Sequence, residues 1–409
     1  TMGAVGPNHL VVTLSDRVTI QNKSGAILVT KSPDSFWSPL GTNLSPFDPR
    51  VAYDPYNNRW IMTVGSSPFS ANSGILLAVS ATSDPTGTWY YYRIDVDSGN
   101  LLWADQPSFG FTKDWITISA NTYQINGGFN GTKIWALNKA KAYSNTGITY
   151  TSFTTTGMGG SQIPAQTYDN TLPTQYFVQE WNSHINGNGY LHVYKIEGPV
   201  DTPTFSSVGF AVAPAPWNAY TPMINGGFAP QAGTTNRIMT GDARIINVVY
   251  RNGFLWAAHT IFLPAVTPVR ASAQWWQLDT SANIIQRGRV DDPTATATNG
   301  GFFYAYPSVT VNANNDVLVG YTRFSSNTYA SAAFSYRRFS DPLNTLPSSQ
   351  VFQPGLAIYT LGGGAVRWGD YSNSLVDPVN NIDFWTIQEY AEVNNHWGIA
   401  WGHLAAKIC

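Results

Sequence analysis

The chain has 409 residues, of which 11% are charged and 14% aromatic, and its formal net charge is −2. This length exceeds one ordinary compact core and suits either two domains or one array of repeats. Clustered Lys and Arg, which binding to a phosphate backbone requires, are absent, so we predict no nucleic-acid partner. No apolar run approaches the roughly 18 residues of a membrane span, so we also predict no such span.

Cysteine use and the N-terminal residues bear on the compartment. Cys409 is the only cysteine, which excludes an intrachain disulfide and a metal site built on several thiolates. The role of Cys409 itself stays open. The sequence begins Thr-Met-Gly, as a processed mature form would. Together with the low charge and the Asn- and Thr-rich polar composition, this predicts a secreted, extracellular protein.

One pattern recurs along the chain. A small or acidic residue opens a short strand, a turn rich in Asp, Asn and Pro follows, and a second strand rich in aromatics comes next. Seven copies follow one another: Val5–Gly25, Asp48–Gly65, Asp105–Asn121, Ala165–Trp181, Gly241–Thr260, Tyr306–Phe324 and Asp370–Tyr390. Two of them contain nearly the same turn, DPYNN (Asp54–Asn58) and DPVNN (Asp377–Asn381), which predicts a shared hairpin connection.

Further strands follow these pairs, for example Ile75–Thr82 and Trp89–Asp95. Four strands per repeat are typical of a β-propeller blade. We therefore predict an all-β fold, a seven-bladed β-propeller of four-stranded antiparallel sheets in one domain spanning residues 1–409, with under about a tenth helix. A β-helix would show shorter, more uniform repeats, and two sandwiches would show a linker, which the sequence lacks.

Three finer features follow from this assignment. Large aromatics should fill the gaps between blades, namely Trp60, Trp115, Trp256 and Trp385. The Pro- and Gly-rich stretches near 154–166 and 200–236 are predicted to be loop insertions on one rim. The last copy has only His396–Leu404 as a third strand, so we expect the N-terminal segment to supply its fourth strand and close the ring.

Several of these motifs carry a family resemblance. The segments DPRVAYDPYNNRWI, SDPTGTWYYYRIDVD, DARIINVVYRNGFLWAAHT and RWGDYSNSLVDPVNNIDFWTIQEY resemble a large family of secreted bacterial proteins, mostly uncharacterised. That family is similar to sialidase-type (BNR-repeat) β-propellers, and the resemblance covers nearly the whole chain. It implies the propeller fold and export, and no established reaction. TSDPTGTW (Thr82–Trp89) is a degenerate version of the sialidase Asp-box, with its glycine displaced by one position.

Strand direction predicts where chemistry would lie. In a blade the first strand starts, and the second strand ends, at the same mouth of the central channel. The first strands should bring the repeated acids and nearby arginines to this mouth: Asp48, Asp105, Asp242, Asp370, Arg50, Arg244 and Arg367. The ends of second strands should add Glu180, His259, Arg323 and Glu389.

This mouth suggests glycan chemistry. Glycoside hydrolysis uses paired carboxylates, so Glu180, Glu389 and Asp370, together with Tyr371, are the catalytic candidates. The other mouth residues are binding candidates: Asp48, Arg50, Asp105, Asp242, Arg244, His259, Arg323 and Arg367. Trp368 is a further one, because its ring could stack on a sugar. A ring of Asp side chains could also hold Ca²⁺.

Two alternatives remain open. The repeated Asp residues could be scaffold, accepting hydrogen bonds from the next blade or pairing with Arg. The function could also be different in kind. We predict a secreted propeller that binds an extracellular glycan or other polar ligand at the mouth, with glycan cleavage as an open extension. The rival is a structural protein that binds copies of itself in a filament or surface layer, since its charge-poor surface repels other copies weakly.

Overall fold

The computed structural model describes residues 2–362 and 364–405, so Cys409 lies outside the described residues. Almost all regular structure in this part is β-strand, as predicted. Helix is confined to α1 (Pro33–Trp37), α2 (Lys139–Ser144) and two 3₁₀ turns, Ser38–Leu40 and Val393–Asn395. No helix among the described residues is long and apolar enough to cross a membrane.

The strands follow one another along the chain as antiparallel groups. The first group is β1 (Met2–Val5), β2 (His9–Thr13), β3 (Val18–Asn22) and β4 (Ile27–Lys31). The second is β5 (Phe47–Asp54), β6 (Arg59–Ser66), β7 (Gly74–Ser80) and β8 (Trp89–Asp95). The third is β9 (Leu102–Phe111), β10 (Trp115–Gln124), β11 (Phe129–Asn138) and β12 (Tyr150–Thr154).

Two very short strands, β13 (Ile163–Pro164) and β14 (Gln166–Thr167), come next. The fourth group joins β13 to β15 (Gln175–Ile185), β16 (Asn188–Glu197) and β17 (Thr204–Pro214). The fifth is β18 (Asn247–Arg251), β19 (Phe254–Leu263), β20 (Arg270–Asp279) and β21 (Ile284–Val290). The sixth is β22 (Phe303–Val311), β23 (Val317–Ser325), β24 (Thr328–Arg337) and β25 (Gln350–Gln353). The last is β26 (Asn373–Val376), β27 (Phe384–Glu392) and β28 (His396–Leu404).

Hydrogen bonding merges the third and fifth groups into one sheet. Strand β14 lies between them and pairs in parallel with both β9 and β18, so the sheet has nine strands. The segment 154–166 therefore supplies strand residues near the centre, and 200–236 includes β17. These stretches therefore contain strand residues as well as irregular chain, and the prediction that they are insertions on one rim stays a prediction.

Burial changes across each group. Strand β7 (Gly74–Ser80) is buried at every position, and its sequence GILLAVS is almost continuously apolar, as expected when both faces are covered. The outermost strand β4 is largely exposed. The large aromatics predicted between sheets are buried: Trp60, Trp115, Trp256 and Trp385 are 0%, 0%, 1% and 6% exposed. Each such ring removes roughly 150–250 Å² of mainly apolar surface from water, which makes these contacts major contributors to stability.

The N-terminal segment does not provide the fourth strand that was predicted for the last sheet. It forms a sheet of its own, and β26–β28 form a three-stranded sheet without it. Contact between these two sheets is through side chains: Asn373 donates to the carbonyl of Gly3 at 2.9 Å, and Lys23 pairs with Asp377 at 2.7 Å. Gly3 lies so close to Trp401 that no side chain fits there. The two sheets therefore contact each other through their side chains, instead of sharing a strand as predicted.

The two similar turns share local features, although the connection after Asp377 is one residue longer: Asp54 pairs with Arg59, and the backbone N–H of Asp377 donates to the Asp383 carbonyl. In each, the Asp side chain accepts the backbone N–H two residues later, at 2.9 Å from Tyr56 and from Val379. Each ends on an Asn with positive φ, 54° at Asn58 and 60° at Asn381. Each Asp also pairs with a lysine from another group, Asp54 with Lys139 (3.2 Å) and Asp377 with Lys23 (2.7 Å). The turn motif thus ties separate sheets together.

Candidate functional site: a polar cavity at the starts of the first strands

Three first strands carry the same irregularity near their starts. Asp48, Gln106 and Tyr306 each precede a proline and have φ of 51°, 51° and 54°. The ladder register shifts beside each of them, as at a β-bulge. A non-glycine residue in this region costs about 1–3 kcal/mol. Such bulges redirect side chains, here at the end of the strands that we call the mouth.

The bulges correct one prediction. Asp48 corresponds to Gln106 and Tyr306, whereas Asp105 lies one residue earlier in its strand. The interpretation of Asp48 and Asp105 as equivalent repeat positions is therefore wrong, because the proline fixes the bulge at Gln106. Asp105 is a feature of its own strand rather than of the repeat.

A cavity of about 310 Å³ opens at the mouth. Six of the predicted site residues line it: Arg50, Asp242, Arg244, Arg367, Asp370 and Tyr371. The wall also includes residues that the sequence did not single out, among them Gln106, Ser108, Tyr220, Met223 and Tyr306. Gln106–Ser108 and Tyr306–Ser308 share an X-Pro-Ser pattern, and this pattern could have indicated Gln106 and Tyr306. Tyr220 and Met223 belong to irregular chain without a periodic signal.

Two ion pairs face this cavity. Arg244 binds Asp242 in a bidentate manner, at 2.7 Å from Nε and 2.5 Å from Nη2. Arg367 Nη2 lies 2.7 Å from Asp370 Oδ2. Both pairs are partly exposed, and such pairs contribute only about 0–1 kcal/mol to stability. Their charged donors and acceptors thus remain accessible for hydrogen bonds to a polar ligand.

Tyr371 lies at the centre of a buried arrangement. Its hydroxyl donates to Asp48 Oδ2 at 3.0 Å, and its ring lies 3.6 Å from the guanidinium carbon of Arg50. Arg50 in turn donates to the Pro107 carbonyl and the Ser108 hydroxyl, at 3.2 and 3.3 Å. Burial, and next the charge of Asp48, raise the pKa of Tyr371 well above its ordinary value. Tyr371 is therefore a protonated donor near neutral pH, which fits binding better than nucleophilic attack.

Three carboxyl groups near the cavity are biased toward their protonated forms. Burial, followed by repulsion from Asp370, raises the pKa of Asp48. Burial, followed by the charge of Asp48, raises the pKa of Asp105 to about 6. Burial raises the pKa of Glu180 to about 7, although Trp217 Nε1 donates to its carboxylate at 3.3 Å. The charge of Asp242 contributes to raising the pKa of Glu180, but Glu180 is not among the residues lining the cavity.

His259 supports the site from behind. It is fully buried, and its Nε2 accepts from Trp276 Nε1 at 3.0 Å. Because the indole can only donate, the proton of His259 is on Nδ1, which donates to the Ala243 carbonyl at 2.7 Å. Burial lowers the pKa of His259 to about 4, so the ring is neutral. The predicted ligand contact is corrected to a structural one: His259 holds the backbone between Asp242 and Arg244.

Glu389 is also behind the cavity wall. It is 4% exposed, and its Oε2 accepts the backbone N–H of Gly369 at 2.9 Å. Gly369 has no room for a side chain because a Cβ would overlap this carboxylate. Glu389 thus positions the 367–371 segment, rather than presenting a free carboxylate to the cavity as predicted.

The predicted binding roles of Trp368 and Arg323 are also corrected, because neither side chain lines the cavity. Trp368 is 3% exposed, with its Nε1 bonded to Thr322 Oγ1 at 3.2 Å, so its ring has no free face for a sugar. Arg323 lies 4.3 Å over the ring of Phe302 and does not line the cavity. For a metal such as Ca²⁺, the described residues contain no group of three or more His, Cys, Asp or Glu side chains placed to hold an ion.

Comparisons with known proteins add little to this geometry. No protein-family model matches the chain, and no curated protein matches it. Among solved structures, a protein of unknown function from Dyadobacter fermentans aligns over 88% of this chain and 78% of its own, with 13% identity and a TM-score of 0.39. A Synechocystis apocarotenoid oxygenase variant aligns over 86% and 74%, with 8% identity and a TM-score of 0.44. The parainfluenza virus 5 hemagglutinin-neuraminidase ectodomain aligns over 86% and 78%, with 11% identity and a TM-score of 0.43. Likenesses this weak carry no argument about activity.

Proposed function

We propose that the sheets form a seven-bladed β-propeller, with β9–β12 and β18–β21 as separate blades. The strand that joins them, Gln166–Thr167, has only two residues and pairs in parallel, unlike every pairing within a group. The first strands of the groups contact one another in a closed cycle: β1, β5, β9, β13, β18, β22, β26 and again β1. A closed cycle of first strands is the arrangement around a propeller axis.

We propose further that this protein is secreted and binds a glycan or a related polar ligand in the mouth cavity. The observation that carries this proposal is the cavity wall, where the Asp242–Arg244 and Arg367–Asp370 pairs stand beside the Tyr371–Arg50 stack. Such a wall offers charged acceptors, charged donors and an aromatic edge, which suit a ligand rich in hydroxyl groups. A volume near 310 Å³ is at the lower end of ligand pockets, about 300–1,000 Å³.

Binding is favoured over cleavage by where the predicted catalytic carboxyl groups lie. Glycoside hydrolysis needs one carboxylic acid and one carboxylate flanking the bond. Asp370 lines the cavity, but Glu180 does not, and Glu389 is buried against Gly369. Tyr371 is protonated. Release of reducing sugar from any bound glycan is the measurement that would add catalysis to the proposal.

One observation favours self-association as a second candidate. The outer strands are sheet edges with exposed apolar side chains, Ile27 and Leu28 on β4 at 65% and 48%, and Phe210 and Val212 on β17 at 44% and 45%. Exposed edges of this kind can pair with other chains. A filament or surface layer would use these edges and not the cavity.

The experiment is a binding screen on a printed array of plant, bacterial and animal glycans, with wild type and Arg244→Gln side by side. We expect wild type to bind one structural class of glycan and Arg244→Gln to lose at least tenfold in affinity for it. Sedimentation velocity in dilute buffer accompanies the screen. Absence of any bound glycan together with ordered polymers would overturn the binding proposal in favour of self-association.

A further inference from the structure

A strip of aromatic side chains lies on the mouth side, beside the cavity. We define the aromatic strip as Phe69, Trp103, Tyr123 and Phe129. Neighbouring ring centroids are 4.2 Å apart for Phe69–Trp103, 5.3 Å for Trp103–Tyr123 and 5.6 Å for Tyr123–Phe129. These residues follow the end of β6, begin β9, end β10 and begin β11, which all lie at the mouth end of their strands.

Both ends of the strip are exposed. Phe69 is 69% exposed and Phe129 is 46% exposed, whereas Trp103 between them is largely covered. Phe69 also has a φ of 55°, in the left-handed region that a bulky residue avoids. Exposing a phenyl ring and holding its backbone in this region both cost free energy, and most of the ring stays available to a ligand despite its contact with Trp103.

The strip is continuous with the cavity. Burial, and next the charge of Asp105, raise the pKa of the Tyr123 hydroxyl, and Arg244 and Asp242 of the cavity wall are close enough to affect it. At the other end, Phe129 lies 3.3 Å from the position that a Cβ on Gly160 would take. The next residue, Ser161, lines the cavity, and its backbone N–H donates to Asn121 at 2.8 Å. An apolar, aromatic surface therefore begins where the polar wall ends.

We propose that the ligand is a glycan chain, with one terminal unit in the cavity and the next units stacked along the aromatic strip. The proposal rests on the proposed function and adds the substrate class: an oligomer instead of a single sugar. Pyranose rings have an apolar C–H face that matches an aromatic ring, and their edges carry the hydroxyl groups that the cavity wall can bond. A partner with only an apolar surface would shield these ion pairs from water without bonding their remaining donor and acceptor positions, at a cost.

The test uses linear oligosaccharides from the glycan class bound in the array screen, as a series from monosaccharide to hexasaccharide. We expect affinity to rise with length in wild type. Phe69→Ala and Phe129→Ala should each lower the affinity for the hexasaccharide about five- to tenfold and leave that for the monosaccharide unchanged. The matched control is Phe339→Ala, which removes a phenyl ring that is 65% exposed and lies outside the strip.

Each other outcome has a definite meaning. Binding without length dependence, or length dependence that survives both strip variants, overturns the strip as a site and leaves the proposed function intact. Failure of wild type to bind any glycan on the array overturns both. Association of wild type that Phe69→Ala abolishes in sedimentation velocity would assign the strip to self-contact and overturn the inference. Melting temperatures of the three variants establish that each is folded.

Discussion

The two ends of strand β5 carry the same residue in opposite circumstances. Asp54, at the turn end, is fully buried, pairs with Lys139 at 3.2 Å and accepts from the Tyr143 hydroxyl at 2.9 Å. Asp48, at the mouth end, is half-buried, accepts from Tyr371, and has its pKa raised by burial and by Asp370. One carboxylate forms an ion pair, whereas the other lies near both Asp370 and Arg50, and burial and Asp370 together keep its pKa raised.

The last sheet repeats this contrast. Asp377 accepts from Lys23, Val379 and the Trp385 indole. Asp370 pairs with the exposed side chain of Arg367 and faces the cavity. Buried and fully satisfied charges hold sheets together, while accessible and crowded charges are suited to a ligand. The environment of an Asp, and not its place in the repeat, separates scaffold from site.

The largest effect should come from breaking the scaffold pair. Asp54→Asn removes the carboxylate that is paired with the buried ammonium of Lys139 and should lower the free energy of unfolding by about 3–5 kcal/mol. Asp48→Asn in the same strand should change it by less than about 1 kcal/mol, because the neutral amide still accepts from Tyr371. Urea unfolding of both variants measures the difference. Equal losses would mean that both ends of β5 are scaffold.

A comparable loss in the free energy of unfolding is expected when Trp385, at the turn end of the last sheet, is removed. Trp385 is 6% exposed and stacks on His403, with ring centroids 4.3 Å apart. Trp385→Ala should cost about 3–5 kcal/mol, as removal of a buried large aromatic does. Trp397→Ala, at a ring 38% exposed on the adjacent strand, is the control and should cost clearly less. Urea unfolding of both variants measures the two losses: if the m-value is unchanged, the shift in the unfolding midpoint gives the change in stability.

Glu180 should make stability depend on pH near neutrality. Its pKa is about 7 in the folded protein, mainly through burial, against an ordinary value of 4.5. Between these values the folded state holds the proton more tightly, so stability should fall as pH rises from 4.5 to 7, by at most about 3 kcal/mol. Glu180→Gln should remove this component of the slope. Parallel pH profiles for wild type and variant would contradict the shift.

A smaller loss of stability is expected behind the cavity wall. Gly369→Ala would press a methyl group into the carboxylate of Glu389, which should cost about 1–3 kcal/mol and displace Arg367 and Asp370. Ligand affinity should fall more than the melting temperature suggests. Gly364→Ala, in the same loop, meets no atom within 4 Å and serves as the control. Equal affinity in the two variants would contradict a role for Glu389 in positioning this segment.

The sequence predicted what repeats and missed what occurs once. The turns at Asp54 and Asp377 and the buried tryptophans that follow them recur along the chain, so a pattern search finds them. The two-residue strands β13 and β14 have no periodicity to detect. Buried Glu389 and His259 look like site residues in the sequence because polar residues are usually exposed. Only packing shows that they support the wall, as it shows that Trp368 is covered.

The mouth as a region was predictable, but its composition was not. Strand direction places the start of each first strand at one end, which brings Asp242 and Asp370 to the same cavity. The bulges beside the prolines affect which side chains face the cavity. In β9 the bulge lies at Gln106, and Gln106 lines the cavity whereas the neighbouring Asp105 does not. Tyr220 and Met223 lie in the irregular segment before β18, which has no periodic sequence pattern. A local pattern therefore could not predict their place in the cavity wall.

The central claim is that the mouth end is the site and the turn end is the scaffold. The most direct test measures urea unfolding and binding to the glycan selected by the array for Arg244→Gln and Asp377→Asn. We predict that Arg244→Gln loses at least tenfold in affinity with under about 1 kcal/mol of stability lost. We predict that Asp377→Asn loses about 3 kcal/mol of stability and, while folded, keeps its affinity. The reverse pattern, with stability lost at Arg244 and affinity lost at Asp377, would contradict the account.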